Sequence, residues 1–328
     1  MKLQASVLHR QSRDLLQKVE NPKKLVLIHT AVSIGCSLLV TALNYLLGLP
    51  IADTGGLSGM GLRSALETVQ SVMELVVMFA LPFWEIGLIY VGLMWLKGEN
   101  ATPSALLQGF RRFAPVLRFR VLYSLIFMIF GVSLFYICST VFLMTPFGKP
   151  LVDQMAPMMD PSVTTQQLEK LLTAETMAAI TKAMIPLFIL FAVVFIPVAL
   201  GIFYRLRLAE YGIMDGLGAR KSLGTSLRVT RKNAWQLVKL DLHFWWFYLL
   251  QLLCVVLCYG DQILQLMGIA LPIVPDAAFF LFYTVGMVLQ GILVWQYQDQ
   301  LLGTYCLAYR AMAGEPAAPA EQQDAAQQ

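Results

Sequence analysis

Three carboxylates, Glu67, Glu74 and Glu85, fall in or beside one long apolar run. Seven steps along a helix turn it through about 700° and eleven through about 1100°, each within about 20° of whole turns. All three therefore share one helix face. The stretch from Glu67 to Glu85 rises about 27 Å, close to the hydrocarbon thickness of a bilayer. Gln70 and Ser71 lie near the same stripe, and Pro82, one turn before Glu85, frees a backbone carbonyl there. An ionised carboxylate at mid-membrane costs about 2.5–3.5 kcal/mol even on the lenient insertion scale. Glu85 must then be protonated, paired or wet. Two readings follow. A proton- or cation-coupled path would use the stripe, with Glu85 and Glu74 as its functional groups. A buried structural pair would instead join Glu85 to Arg205 or Arg207, leaving Glu67 and Glu74 at the outer interface.

Little else in the chain carries chemistry. His9, His29 and His243 are scattered, and there is no HExxH, GxSxG, Walker A or Cys-x-x-Cys pattern. No enzyme activity, cofactor or metal is expected. Cys254 and Cys258 are one helical turn apart, as a metal would need, but all five cysteines lie in or beside apolar runs and read as small packing residues. A disulfide framework is not expected. The methionines Met155, Met158 and Met159 read as loose packing at a membrane surface.

The elements that must position these residues follow from composition. Apolar residues make up 58% of the 328 and charged ones 13%, against about 25% charged in a soluble domain. Such a chain cannot cover a globular surface with polar groups. Six apolar runs are long enough for membrane helices: Leu25–Leu47, Val72–Leu96, Val121–Leu143, Met184–Tyr204, Leu242–Cys258 and Ala277–Tyr297. No period-2 alternation supports a β-barrel. The fold class expected is all-α, a polytopic membrane protein with six transmembrane helices.

Twenty of the 24 basic residues lie in the N-terminal arm, the loops after the second and fourth runs, and the C-terminal tail. The other loops hold only Arg63, Lys149, Lys170 and Lys182. This bias leads us to expect both termini in the cytoplasm. The first run, preceded by a strongly charged arm, is expected to act as an uncleaved start-transfer anchor. The organisation expected is a basic cytoplasmic arm over 1–24, a transmembrane domain over 25–311, and a disordered tail over 312–328. The second half of the outer loop, from about Ser162, is expected to run into the fourth span as one helix.

The two large basic loops resemble each other at a shift of 120 residues. Leu107 falls on Leu227, Arg111 on Arg231, Arg112 on Lys232, Ala114 on Ala234 and Leu117 on Leu237, and Gly92-Leu93-Met94 falls on Gly212-Ile213-Met214. Two units of one orientation point to a parallel duplication. The shift also lays Glu85 on Arg205, so either the second span protrudes well into the cytoplasm or the alignment needs a gap. Each block suits an amphipathic helix, near 103–118 and 221–237. The apolar stripes are Leu106, Leu107, Phe110, Ala114 and Leu117, then Leu223, Leu227, Ala234 and Leu237. The candidate contacts to anionic lipid of the inner leaflet are Arg111, Arg112, Arg231 and Lys232. The alternative is that these residues control topology alone.

The segment Tyr204–Trp245 reads YRLRLAEYGIMDGLGARKSLGTSLRVTRKNAWQLVKLDLHFW. An apolar helix leaves through Arg-x-x-Leu-Ala, followed by an acidic residue, a Lys-Ser-Leu…Ser turn, a basic-Asn-x-Trp step and Lys-Leu-Asp-Leu entering the next span. This resembles the bacterial integral membrane proteins grouped as domain of unknown function 975. Leu107-Gln-Gly-Phe-Arg-Arg-Phe is similar to the family's earlier cytoplasmic loop. Family members carry Gly before the Asn-x-Trp step, where this chain has Arg231-Lys232 before Asn233. The resemblance implies a helical inner-membrane fold with no established activity, and supplies no catalytic residues.

Two functions remain from these residues. One is a small transporter-like or permease-like module using the carboxylate stripe. The other is a non-transporting scaffold or assembly partner acting through its basic cytoplasmic helices. Membrane lipids are the expected partner, another membrane protein or a second copy stays open, and no nucleic acid is expected.

Overall fold

A computed structural model of the chain describes residues 4–48, 57–156, 173–266, 269 and 275–314. The protein is an all-α polytopic membrane protein, with no strand among the described residues. Its helices are α1 (Ala5–Lys18), α2 (Pro22–Gly48), α3 (Leu57–Leu96), a 3-10 turn (Pro103–Leu107), α4 (Gln108–Arg111), α5 (Phe113–Leu143), α6 (Lys149–Met155), α7 (Ala174–Leu206), α8 (Ala209–Met214), α9 (Ala219–Thr230), α10 (Ala234–His243), α11 (Trp245–Cys258), α12 (Gly260–Leu266) and α13 (Pro275–Ala313). Five stretches are long and apolar enough to cross a membrane: Pro22–Leu46, Glu67–Leu96, Phe113–Leu143, Ala179–Met214 and Ala277–Ala313. The pair α10 and α11 adds a sixth if counted as one span, although it bends by 68°. The expected fifth span, Leu242–Cys258, is thus broken at Phe244. Its straight part, α11, rises only about 21 Å.

Contacts divide the chain into two units, Met1–Leu117 with Arg207–Gln328, and Arg118–Leu206. In the second unit Cys138, Phe142, Leu151 and Leu187 form a small core, with Met155 packed against it. Met158 and Met159, and the loop from Ser162, lie outside the described residues. Large apolar side chains along α5 and α7 point outward, Val132 at 65% and Val193 at 64% exposure among them, as a lipid solvent permits.

In the first unit α13 is the hub, packing against α1, α2, α3, α9, α11 and α12. It continues well past the expected end at Tyr297, and Leu301–Tyr309 is buried throughout. The N-terminal arm is itself mostly helix. In α1, Leu8, Ser12 and Leu16 recur every fourth residue and form its buried face, and the Ser12 hydroxyl donates to the Gln300 carbonyl at 3.2 Å. Lys18 suits the negative end of α1. Asn21, at φ 50, then turns the chain, and Pro22 opens α2 where its missing N–H costs nothing.

The helix α3 runs 40 residues without a break, about 60 Å and twice the hydrocarbon thickness. Its environment changes near Pro82. Val69, Val72, Leu75, Val76, Met78 and Phe79 are exposed, whereas Phe83, Ile86, Leu88, Val91, Leu93 and Trp95 are buried. Glu85 therefore lies past the last exposed large apolar residue of α3. This accounts for its position against Arg205. The exposed apolar run of α7 ends at Leu200, close to 120 residues after Phe79, so no gap is needed. The repeat extends to element order. At that shift α3 falls on α7 with α8, the 3-10 turn with α4 falls on α9, and α5 falls on α10 with α11. Both leading helices stop at a glycine of positive φ, Gly98 at 73° and Gly216 at 105°. In each case the following N–H bonds back into the last turn, Glu99 to Met94 at 3.1 Å and Leu217 to Gly212 at 2.9 Å.

The two basic segments are not continuous surface helices. The first is a 3-10 turn and one turn of α-helix, interrupted at Arg112. Leu106 is fully buried while Leu107 and Phe110 are exposed, so the expected stripe is split. The reason is backbone packing. A Cβ on Gly87 would overlap the Leu106 carbonyl oxygen, and one on Gly109 would overlap the Phe83 carbonyl oxygen. The turn lies directly against α3, with the Phe83 ring 4.8 Å from Phe113 and 5.7 Å from Phe110. The second segment breaks between α9 and α10. The buried face of α9 is Ala219, Ser222, Ser226 and Thr230, not the leucines. Leu227 is exposed, and only Leu237 of the expected stripe is fully buried.

Candidate functional site: a polar cavity beside a buried ion pair

Three segments converge on Asp241 in α10. The Arg207 guanidinium, from the break between α7 and α8, donates Nη1 to Asp241 Oδ2 at 2.6 Å. The Tyr248 hydroxyl, one turn into α11, donates to Asp241 Oδ1 at 2.7 Å. The Tyr305 hydroxyl of α13 donates to the same oxygen. The Arg207 guanidinium carbon lies 3.8 Å from the centre of the Tyr305 ring, a cation–π arrangement. Both carboxylate oxygens thus have donors, and the guanidinium has an acceptor and an aromatic face. This is the condition under which a charge pair survives out of water. Arg207 thus takes part in an ion pair with Asp241. Arg205 is exposed.

Beside this pair lies a cavity of about 340 Å³ in the first unit, lined by the polar residues His29, Glu85, Arg207, Glu210, Gln251 and Gln298. Tyr211 and Tyr305 also line it, and Leu88, Ile89, Val294, Leu301 and Leu302 complete the wall. Each polar group has its own support. Glu85 sits on α3 where that helix enters the packed core. Glu210 and Tyr211 open the short helix α8, held by Tyr211 stacking on Tyr309 at 5.8 Å. That helix is also capped by Arg112, whose Nη1 donates to the Ile213 carbonyl at 2.6 Å. A cation at a helix C-terminus is favourable, so Arg112 is placed to cap α8. His29 of α2 stacks on Trp84 with ring centres 5.6 Å apart and planes 2° from parallel. The Trp84 Nε1–H donates to the His29 carbonyl at 3.1 Å. His29 is only 8% exposed, and neither of its ring nitrogens has a hydrogen-bond partner.

Among the expected site residues, Glu85 and Arg207 come together on this cavity. Glu74 and Glu67 do not. Glu74 is exposed and accepts a bond from Gln70 at 2.8 Å, and Gln70 also donates to Asn44 of α2. Arg111, Arg231 and Lys232 are exposed. Sequence reasoning missed His29, Glu210, Asp241, Tyr248 and Tyr305. Asp241 alone carried a signal, as an acidic residue at the start of an apolar run. Cys258 donates to the Tyr283 carbonyl at 3.8 Å, and all five cysteines are free thiols. No group of three His, Cys, Asp or Glu side chains that could hold a metal ion occurs among the described residues. The arrangement can bind a polar solute. It offers carboxylates, amide groups and an imidazole in a recess walled by apolar side chains.

No family model matches the sequence, and neither a curated protein nor a solved structure matches the chain.

Proposed function

We propose that this is a small transporter-like or permease-like protein of a bacterial inner membrane, not an enzyme, which takes a polar solute into the cavity between α2, α3, α8, α11 and α13. The observation that carries the reading is the cavity itself. Ionisable residues in helices rich in lipid-facing side chains are costly unless they serve a path or a pair. Asp241 and Arg207 make a pair. Glu85, Glu210 and His29 line a space of solute size. The test is solute-induced current from purified protein in liposomes on a solid-supported membrane, screened over small cations, anions and zwitterions. At least one class is expected to give transient currents that Glu85→Gln abolishes and Glu67→Gln leaves intact. Absence of current from every class would end the reading.

In this reading both termini and the basic segments are cytoplasmic. A cysteine placed at Lys221, which is exposed, in a cysteine-free background should escape an impermeant thiol reagent in intact cells. Labelling there would reverse the orientation. The scaffold reading draws on a different observation. Arg231, Lys232 and Trp235 are all exposed at the turn into α10, as a contact with anionic lipid or another membrane protein would need. That reading predicts no current.

A further inference from the structure

We propose that the cleft where α1 meets the start of α2 binds a phosphoglycerol head group, held by Arg13, Lys23 and Lys24. This cleft shares no lining residue with the polar cavity, and nothing about it depends on transport.

The cleft offers about 400 Å³, and Arg13, Gln17, Asn21, Lys23, Lys24 and Asp299 supply most of its polar wall. Its cations come from two helices. Arg13, Leu16 and Gln17 recur at helical spacing and so share one flank of α1. That flank is anchored, because Leu16 is buried and Ser12 donates to the Gln300 carbonyl of α13. The turn at Asn21 then brings Lys23 and Lys24, in the first turn of α2, to the same opening.

The wall favours an anion. Arg13, Lys23 and Lys24 are exposed, and none of them forms an ion pair among the described residues. These three cations share the wall with one carboxylate, Asp299, on which Lys23 acts electrostatically. Asp14 and Glu20 are exposed and do not line the cleft. A guanidinium fork matches two phosphate oxygens, and the lysines add point charges.

Asp299 narrows the ligand further. It is only 3% exposed, and the Gln300 N–H donates to its Oδ1 at 2.8 Å. A carboxylate in the wall repels a second anionic group and accepts from a hydroxyl. A single phosphate carrying glycerol hydroxyls meets both conditions.

Phosphatidylglycerol and free glycerol phosphate share this chemistry. The position of the cleft favours the lipid. Leu27, within one turn of Lys24, is the first exposed large apolar side chain of α2. The cleft therefore opens where the lipid-facing surface begins, at the level of the head groups.

The experiment is native mass spectrometry of the full-length protein in a neutral detergent. It is titrated separately with dioleoyl phosphatidylglycerol, phosphatidylmethanol, phosphatidylcholine and glycerol 3-phosphate. Phosphatidylglycerol should bind saturably, and more weakly as ammonium acetate is raised. Arg13→Gln and Lys24→Gln, both at exposed positions, should each weaken it about fivefold. Arg13→Lys, which keeps the charge and loses the fork, should weaken it less. Arg228→Gln, at an exposed basic residue outside the cleft, should leave it unchanged. Phosphatidylmethanol, the same diester without hydroxyls, should bind several-fold more weakly. Glycerol 3-phosphate binding as tightly as the lipid would keep the site and make its ligand a soluble one. Equal binding of phosphatidylcholine or phosphatidylmethanol would overturn the inference. So would binding that Arg13→Gln and Lys24→Gln leave intact, or that Arg228→Gln weakens as much.

Discussion

Asp241→Ala is expected to destabilise the folded protein by about 3–5 kcal/mol, the usual cost of removing one partner from a buried ion pair. The Arg207 and Asp241 side chains are only 19% and 14% exposed, so water can replace little of the lost contact. The same change removes the acceptor of two hydroxyls, Tyr248 and Tyr305. Asp241→Asn should cost less, because an amide oxygen in the place of Oδ1 still accepts from both. Replacing both charges, as in Arg207→Met with Asp241→Leu, should recover part of the loss, since both members of the ion pair are then removed together. The measurement is the unfolding midpoint in detergent, read by size-exclusion chromatography after heating. A cost below about 1 kcal/mol for Asp241→Ala, typical of exposed pairs, would mean that the pair is solvated in the membrane-embedded protein.

Gly87→Ala should be nearly as damaging, and its sign is the informative part. In a helix interior alanine is better than glycine by about 0.5–1 kcal/mol. Gly35 and Gly201 have nothing within 4 Å of an added Cβ, so alanine there should stabilise by about that amount. At Gly87 the methyl would meet the Leu106 carbonyl oxygen, and at Gly109 the Phe83 carbonyl oxygen. Both obstacles are backbone and cannot rotate away. Each substitution should cost about 1–3 kcal/mol as overpacking. The double variant should cost less than the sum, because either methyl alone forces the turn off α3. Midpoints of the four single variants and the double test this directly. A Gly87→Ala protein as stable as Gly35→Ala would show that the 3-10 turn does not lie on α3.

The number and order of the long helices were legible because lipid forces the backbone to satisfy itself, which needs long apolar runs. Their ends were not. In α3 and α13 apolar composition marks where a helix faces lipid, and the same helix continues into a packed core where polar residues also occur. Gln298, Asp299 and Gln300 look like the end of a span, yet α13 passes through them. Glu85 was legible as a residue out of place, and Arg207 as one of two candidate cations. Its partner was not, since Asp241 lies 34 residues away and the pairing depends on how α10 turns back. His29 was hidden by its apolar neighbours. Its stack with Trp84 and its unmatched nitrogens exist only once α2 meets α3. Gly87 and Gly109 show the same limit. Sequence reveals a glycine, but not which backbone approaches it.

The docking of α1 on α13 has a consequence for how the molecule is made. Ser12 and the carbonyl it binds are 288 residues apart, and the α1 side chain that faces Gly303 is again Ser12. At about 5–20 residues per second of synthesis, α1 waits roughly 15–60 s for the surface it covers. Throughout that interval the apolar side of α1, with Leu8 and Leu16, is available to the headgroup layer or to a chaperone. Closing so long a loop is the slow kind of contact. The core around α13 is therefore completed only after the last long helix has been made, so a nascent chain stalled before residue 300 would still display Leu8 and Leu16 as a mark of incompleteness.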